Sequence, residues 1–236
     1  MKYIAVWALL LSLTFAGIPA GAQDLLAYLA EVDRKYGSDV DLVNGEKYFY
    51  PYTQAEGDPF LYRGTQQALI RIREREFADQ RLKYDVYNQQ LVLEYKDLYG
   101  GYNSLVLRAE WVEGFSFGSR HFKKMVGPDG EPAYLQVIYE GAISCYYFWT
   151  KQYQMNLNSG IQNYYFTDPV LTPYLVVDGA FIPYRNNTTF LKAFGKEHRK
   201  DIKQVLRQSK ARVRRTDDAA MKQIMEYCNA LVNDAD

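Results

Sequence analysis

Cysteine and histidine are almost missing from this chain, with two of each in 236 residues. Cys145 and Cys228 are too few for a disulfide scaffold. In an oxidising compartment they could pair, closing a loop long enough to contribute about 4 kcal/mol. Otherwise they are two separate buried thiols, packing like small hydrophobes. The second arrangement is preferred, because Cys228 falls on the apolar face of an expected helix and Cys145 in an aromatic strand. His121 lies between Arg120 and Phe122 in a strand-like stretch, and His198 lies in a basic helix. Neither has a ligand at metal spacing, and no His-Glu-x-x-His or Gly-x-Ser-x-Gly occurs. No metal, no cofactor and no catalytic residue is therefore expected, and both histidines read as solvated surface residues. A Ser-His-Asp hydrolase would need one of them as its base.

Net charge is also lacking. Lys plus Arg and Asp plus Glu both number 28, so the chain as a whole is not a general polyanion binder. Beyond residue 22 no apolar run approaches the roughly 20 residues of a membrane-spanning helix. No linker rich in Pro, Gly or Ser divides the chain.

The first 22 residues carry a strong signal. Lys2 precedes an apolar run from Tyr3 to Phe15, then come Gly17, Pro19 and Ala20-Gly21-Ala22. A charged start, a short apolar centre and a small-x-small end make a secretory signal peptide. Cleavage after Ala22 leaves a chain beginning Gln23-Asp24, with no cysteine for lipid anchoring. The expected location is periplasmic or extracellular. The mature 214 residues, with 48% apolar residues over the whole chain, can bury a proper core.

Asp24 caps a short expected helix over residues 24–36, with Leu25, Leu26, Leu29 and Val32 at helical spacing and Gly37 as its stop. From about Lys47 to Tyr184 the period is two. Strands are expected over Lys47–Tyr52, Leu69–Phe77, Leu82–Val86 and Leu91–Tyr95, the last two as a hairpin. Further strands are expected over Ser104–Glu110, Val112–Phe117, Ala133–Tyr139, Ile143–Tyr153, Asn163–Phe166, Tyr174–Val177 and Phe181–Tyr184. Gly100-Gly101, Gly127-Pro128-Asp129-Gly130 and Asp178-Gly179 mark turns. Helical spacing returns near Thr188 with Phe190, Leu191 and Phe194, then with Ile202, Val205 and Leu206. A third helix, capped by Asp217 or Asp218, carries Met221, Ile224, Met225, Cys228, Leu231 and Val232 on one stripe. The expected fold class is α+β: a mainly antiparallel sheet, as a barrel or sandwich, with a short N-terminal helix and C-terminal helices packed on it. The organisation is a signal peptide over 1–22, a helix and antiparallel β domain over 23–187, and a helical segment over 188–236 on the same core. Dense charge in the strands (Arg71, Arg73, Arg75) and the helical C-terminal end argue against an outer-membrane barrel.

Gly57-Asp58-Pro59-Phe60-Leu61, Leu82-Lys83-Tyr84-Asp85-Val86-Tyr87-Asn88, Glu113-Gly114-Phe115, Leu135 to Gly141 and Met225 to Leu231 follow one another in an order that resembles a family of exported, functionally uncharacterised proteins of Bacteroidota-type bacteria. The resemblance implies a bacterial cell-envelope setting and carries over no catalytic residue.

Two features point to binding. Charge is uneven: ten cations lie between Lys192 and Arg215, opposed only by Glu197 and Asp201, so the segment is +8. Arg199, Lys200, Lys203 and Arg207 fall opposite Ile202 and Leu206 on one helix, and Lys210, Arg212, Arg214 and Arg215 follow. This is the candidate surface for an anionic envelope component such as a lipid phosphate. Nucleic acid would fit electrostatically, but export argues against it. The competing explanation is a solvated face paired with the acidic sheet. The second feature is the 21 tyrosines left after the leader, whose rings could stack on sugars or simply fill a core. Tyr84, Asp85 and Tyr87 are the candidate glycan contacts, with paired carboxylates as the route to hydrolysis. The expected function is an exported, non-enzymatic binding or scaffolding protein of the cell envelope. The alternative is a carbohydrate-binding or carbohydrate-hydrolysing protein.

Overall fold

The computed structural model describes residues 39–97, 99–156, 163–208 and 211–233. The leader over 1–22 and the helix expected over 24–36 lie outside the described residues.

The fold is α+β, dominated by antiparallel sheet. Eleven strands join in the order β1-β6-β5-β4-β3-β7-β8-β9-β10-β13-β14. They are β1 (Gly45–Lys47), β3 (Gln66–Ile72), β4 (Arg75–Asp85), β5 (Gln90–Lys96), β6 (Tyr102–Leu107) and β7 (Val112–Phe117). The other five are β8 (Arg120–Val126), β9 (Pro132–Tyr139), β10 (Ile143–Thr150), β13 (Val170–Val177) and β14 (Ala180–Pro183). A smaller sheet joins β11 (Tyr153–Asn156), β12 (Asn163–Phe166) and β2 (Ala55–Glu56), the last pairing parallel. After β14 come α1 (Asn187–Phe190), a 3-10 turn over Leu191–Ala193, α2 (Arg199–Gln208) and α3 (Asp218–Asn233).

The large sheet is strongly curled. Four strand spacings separate β4 from β9, about 19 Å on a flat sheet. Yet the rings of Tyr84 on β4 and Tyr134 on β9 have centroids 5.9 Å apart. The first part of the sheet therefore wraps barrel-like around its own apolar face, although its linear strand order leaves β1 and β14 as edges. Ile70, Ile72, Leu82, Leu91, Leu93, Phe115 and Phe122 fill that core. In β3 every second residue is buried, the alternation that one covered face demands.

The second core lies under the helices. Ile138, Cys145, Leu175 and Tyr184 from the sheet meet Phe190, Phe194, Ile202, Leu206, Met221, Met225 and Cys228. The stripe on α3 docks across β9 and β10, and burying each such side chain contributes roughly 1.5–3 kcal/mol. Asp217 caps α3, its Oδ1 accepting from Ala220 N at 2.8 Å.

Gln136 on β9 sits where the two cores meet and is buried. Its Oε1 accepts from Trp149 Nε1 at 2.8 Å, and its Nε2 donates to Asp218 Oδ2 at 2.7 Å. Asn229 makes a second tie: its Oδ1 accepts from Ile143 N, and its Nδ2 donates to Ile143 O, both at 2.9 Å.

Three local expectations need correction. The segment Leu69–Phe77 is not one strand, because Arg73 and Glu74, both at positive φ, turn the chain between β3 and β4. The turn is held from outside: Arg73 lies 3.3 Å above the Trp111 ring, and Glu74 N donates to Glu113 Oε1 at 2.6 Å. The strand expected over Lys47–Tyr52 is present only at Lys47, the last residue of β1; Pro51, further on, could not have donated to a ladder. The strand expected over Ile143–Tyr153 is two, β10 and β11, which break at Lys151 and Gln152 and join different sheets. The strand-like stretch around His121 is β8, which completes the core with Phe122.

Candidate functional site

The basic segment folds into one surface on the C-terminal helices. Ile202 and Leu206 bury the inner stripe of α2, which turns Lys200, Lys203 and Arg207 outward as the helical spacing requires. Lys192, on the 3-10 turn, and Lys196, in the connection to α2, reach the same side. Together with Arg199, Asn187 and Thr188 they line a pocket of about 650 Å3 whose lining contains six cations and no carboxylate. Arg199 is held in place, its Nε donating to Phe194 O at 2.9 Å and its Nη2 to Lys192 O at 3.3 Å.

A second basin of about 360 Å3 adjoins it through Asn187 and Thr188, and holds Arg185, Arg212, Arg214 and Arg215. Its geometry comes from Val213, which is buried in the helical core and so turns both flanking arginines outward. Asn187 clamps this turn: its Nδ2 donates to Ala211 O at 3.0 Å, and its Oδ1 accepts from Val213 N at 3.1 Å. Seven of the eight cations expected on this surface are thus gathered in two joined basins. The eighth, Lys210, lies outside the described residues.

Charge pairing separates this surface from the sheet. On the sheet, Arg71 pairs with Glu113, Arg75 with Asp39 and Asp41, Arg81 with Glu94, Lys123 with Glu140 and Lys151 with Asp58. Among the described residues, none of the lysines and arginines from Lys192 to Arg215 forms an ion pair with a carboxylate. The sheet's carboxylates pair with other cations or with none, so the explanation by ion pairing between this basic surface and the acidic sheet does not hold for the described residues.

The glycan contacts are corrected in part. Tyr84 is 1% exposed and its hydroxyl lies 2.6 Å from Gln89 Oε1 and 3.0 Å from Tyr134 O. Asp85 is fully buried, and its carboxylate accepts from Tyr87 N, Asn88 N and Asn88 Nδ2 at 2.8–3.0 Å. Both are structural and out of reach of a sugar. Burial raises the Asp85 pKa despite those hydrogen bonds. Tyr87 is exposed and belongs to a different group, in which Tyr52 touches Tyr50, Tyr87, Tyr153 and Phe166 with ring centroids 4.9–6.1 Å apart.

Cys145 and Cys228 are both buried thiols, not a disulfide. Burial pushes each up to about 12. Ser116 Oγ lies 2.7 Å from His121 Nδ1 across β7 and β8. Among the described residues no carboxylate bonds that imidazole, so the pair lacks the orienting third group of a triad. His198, expected on the surface, has a side chain only 15% exposed, beside Glu197. No group of three or more His, Cys, Asp or Glu gathers at metal distance among the described residues. None of the described helices is long and apolar enough to cross a membrane.

Arg185, Asn187, Thr188, Lys192 and Lys196 are site residues beyond those singled out on the sequence. Lys192 and Lys196 were visible within the cationic run. Arg185 and the Asn187 clamp were not, because they join the surface only through the packing of α1. In comparisons with protein-family models, curated proteins and solved structures, no match to this chain was found.

Proposed function

We propose that this chain is an exported cell-envelope protein that binds an anionic envelope component through the basic basins of its C-terminal helices, in a binding or scaffolding role and not a catalytic one. One observation carries the reading: six cations line one pocket with no carboxylate in it, and among the described residues none of the six forms an ion pair with a carboxylate. Unpaired cations around a concave, low-dielectric wall concentrate anions and steer them inward. The signal-peptide pattern over residues 1–22 supports export, and outside the cytoplasm lipid phosphates and other anionic envelope polymers are the abundant partners. The test is fractionation of cells expressing a variant with Arg199, Lys200, Lys203 and Arg207 all changed to Gln. The variant should leave the envelope fraction and appear among the released proteins. Unchanged envelope association would reject the reading.

A glycan-binding reading keeps one observation in its favour. The tyrosine group around Tyr52 and Tyr87 adjoins, through Phe166, a polar pocket of about 310 Å3 that contains Glu56, Asp58 and Asp168. Neutral oligosaccharides that raise the melting temperature, with loss of the effect in Tyr87→Ala, would move this reading ahead.

A further inference from the structure

The arginine basin has an apolar neighbour. Between α2 and α3 runs a groove of about 530 Å3, walled by Val205, Ala211, Ala220, Ile224 and Tyr227, a size in the range of ordinary ligand sites. Tyr227 is 40% exposed there. The single carboxylate in the lining, Asp217, is engaged as the cap of α3. Arg212 and Arg215 also line this groove, and the same two residues line the arginine basin with Arg185 and Arg214. An apolar trough and a cluster of planar guanidinium forks therefore share two residues. Both are fixed by one turn, which Val213 anchors in the core and Asn187 clamps.

We propose that this groove takes the hydrocarbon chain of a phosphate-headed lipid, with the phosphate held by Arg212 and Arg215 and flanked by Arg185 and Arg214. The proposal rests on the reading that the helical cap binds an anionic envelope component, and it names that component's class. Guanidinium forks match phosphate oxygens in a bidentate way. A free phosphate would use the arginines and leave the apolar trough idle; an amphiphile uses both. The protein then holds an individual lipid and does not merely adhere to a charged surface.

The test uses the mature protein, titrated with glycerol 3-phosphate and with phosphatidic acids of increasing short chain length, kept below their micelle concentrations. Affinity should rise with chain length, roughly fourfold for each methylene buried. Ala220→Trp fills the trough without touching a charge. It should abolish the chain-length dependence and leave glycerol 3-phosphate affinity within about twofold. If that variant does not fold, as judged by its melting curve, Tyr227→Ser removes one wall and should flatten the dependence instead. Wild-type affinity independent of chain length, with glycerol 3-phosphate and anionic vesicles still bound, overturns this inference and leaves the basic-surface reading intact. Failure to bind either of those anionic probes overturns both.

Discussion

The hydroxyl of Tyr84 on β4 lies 3.0 Å from the carbonyl oxygen of Tyr134 on β9, a contact across four strand spacings that only a curled sheet permits. Tyr84 packs against Phe115, Phe122 and Tyr134 with ring centroids 5.2–5.9 Å apart, so one residue reports on closure of the first core. Tyr84→Phe should cost about 1 kcal/mol, the usual net worth of a buried hydrogen bond. Tyr84→Ala should cost about 3–5 kcal/mol through the cavity it leaves. Urea unfolding of both variants checks the difference, and equal losses would show that the sheet does not depend on this packing.

Gln136 joins the two cores through Trp149 and Asp218. Gln136→Leu keeps the volume but leaves the Trp149 indole N–H unpaired and removes a partner of Asp218. The expected destabilisation is about 2–3 kcal/mol, measurable by the same urea titration. Arg120, whose Nε lies 3.3 Å from Asp218 Oδ2, keeps that carboxylate partly satisfied. A loss under about 0.5 kcal/mol would mean that the network is not buried in solution.

Asn229 acts on α3 as a short stretch of strand would, meeting both backbone groups of Ile143. Asn229→Leu should therefore loosen the docking of α3 on β10, at about 2 kcal/mol or more. Amide hydrogen exchange should show faster exchange at Ile143 and along α3, with the first core unaffected. Uniform protection in both halves would contradict the assignment.

Asp85 gives a pH signature. Burial raises its folded-state pKa above the ordinary 3.8, so the folded protein holds the proton to higher pH than the unfolded chain. Its stability contribution is fully present below the unfolded pKa and is lost as pH rises through the folded one. Asp85→Asn removes the titration while keeping a carbonyl acceptor for Tyr87 N and Asn88 N. The unfolding free energy of wild type minus that of the variant should fall as pH rises above about 4, the ordinary carboxylate value. A rising difference would show that the hydrogen bonds outweigh desolvation.

Cys145 and Cys228, buried and with thiols pushed up to about 12, should ignore a thiol-specific reagent in the native protein. Both should react after denaturation without reductant. A denatured chain with no reactive thiol would establish the disulfide that the structure lacks.

Legibility in the sequence follows the range of the interactions. The stripes of α2 and α3, the cap at Asp217 and the turn at Asp178-Gly179 are local, and spacing alone marks them. The cations from Arg199 to Arg215 were visible for the same reason. The turn at Arg73-Glu74 was hidden, because it depends on Trp111 and Glu113 and carries neither Gly nor Asn. Tyr84 and Asp85 resembled a polar, aromatic surface pair. Their burial follows from the curl of the sheet and from the loop over Asn88, neither of which has a sequence period. The groove between α2 and α3 is likewise a product of packing.

The central claim is that the cationic basins bind an anionic envelope surface. The most direct measurement is the partitioning of the purified mature protein onto vesicles of neutral and of anionic phospholipid, at low and high salt, for wild type and the Arg199, Lys200, Lys203 and Arg207 quadruple Gln variant. At about 1 kcal/mol per cation near an anionic surface, the four substitutions should weaken binding to anionic vesicles roughly a thousandfold. Wild-type binding should fall with salt and be absent on neutral vesicles. Equal partitioning of the two proteins, or wild-type binding indifferent to lipid charge, would contradict the account.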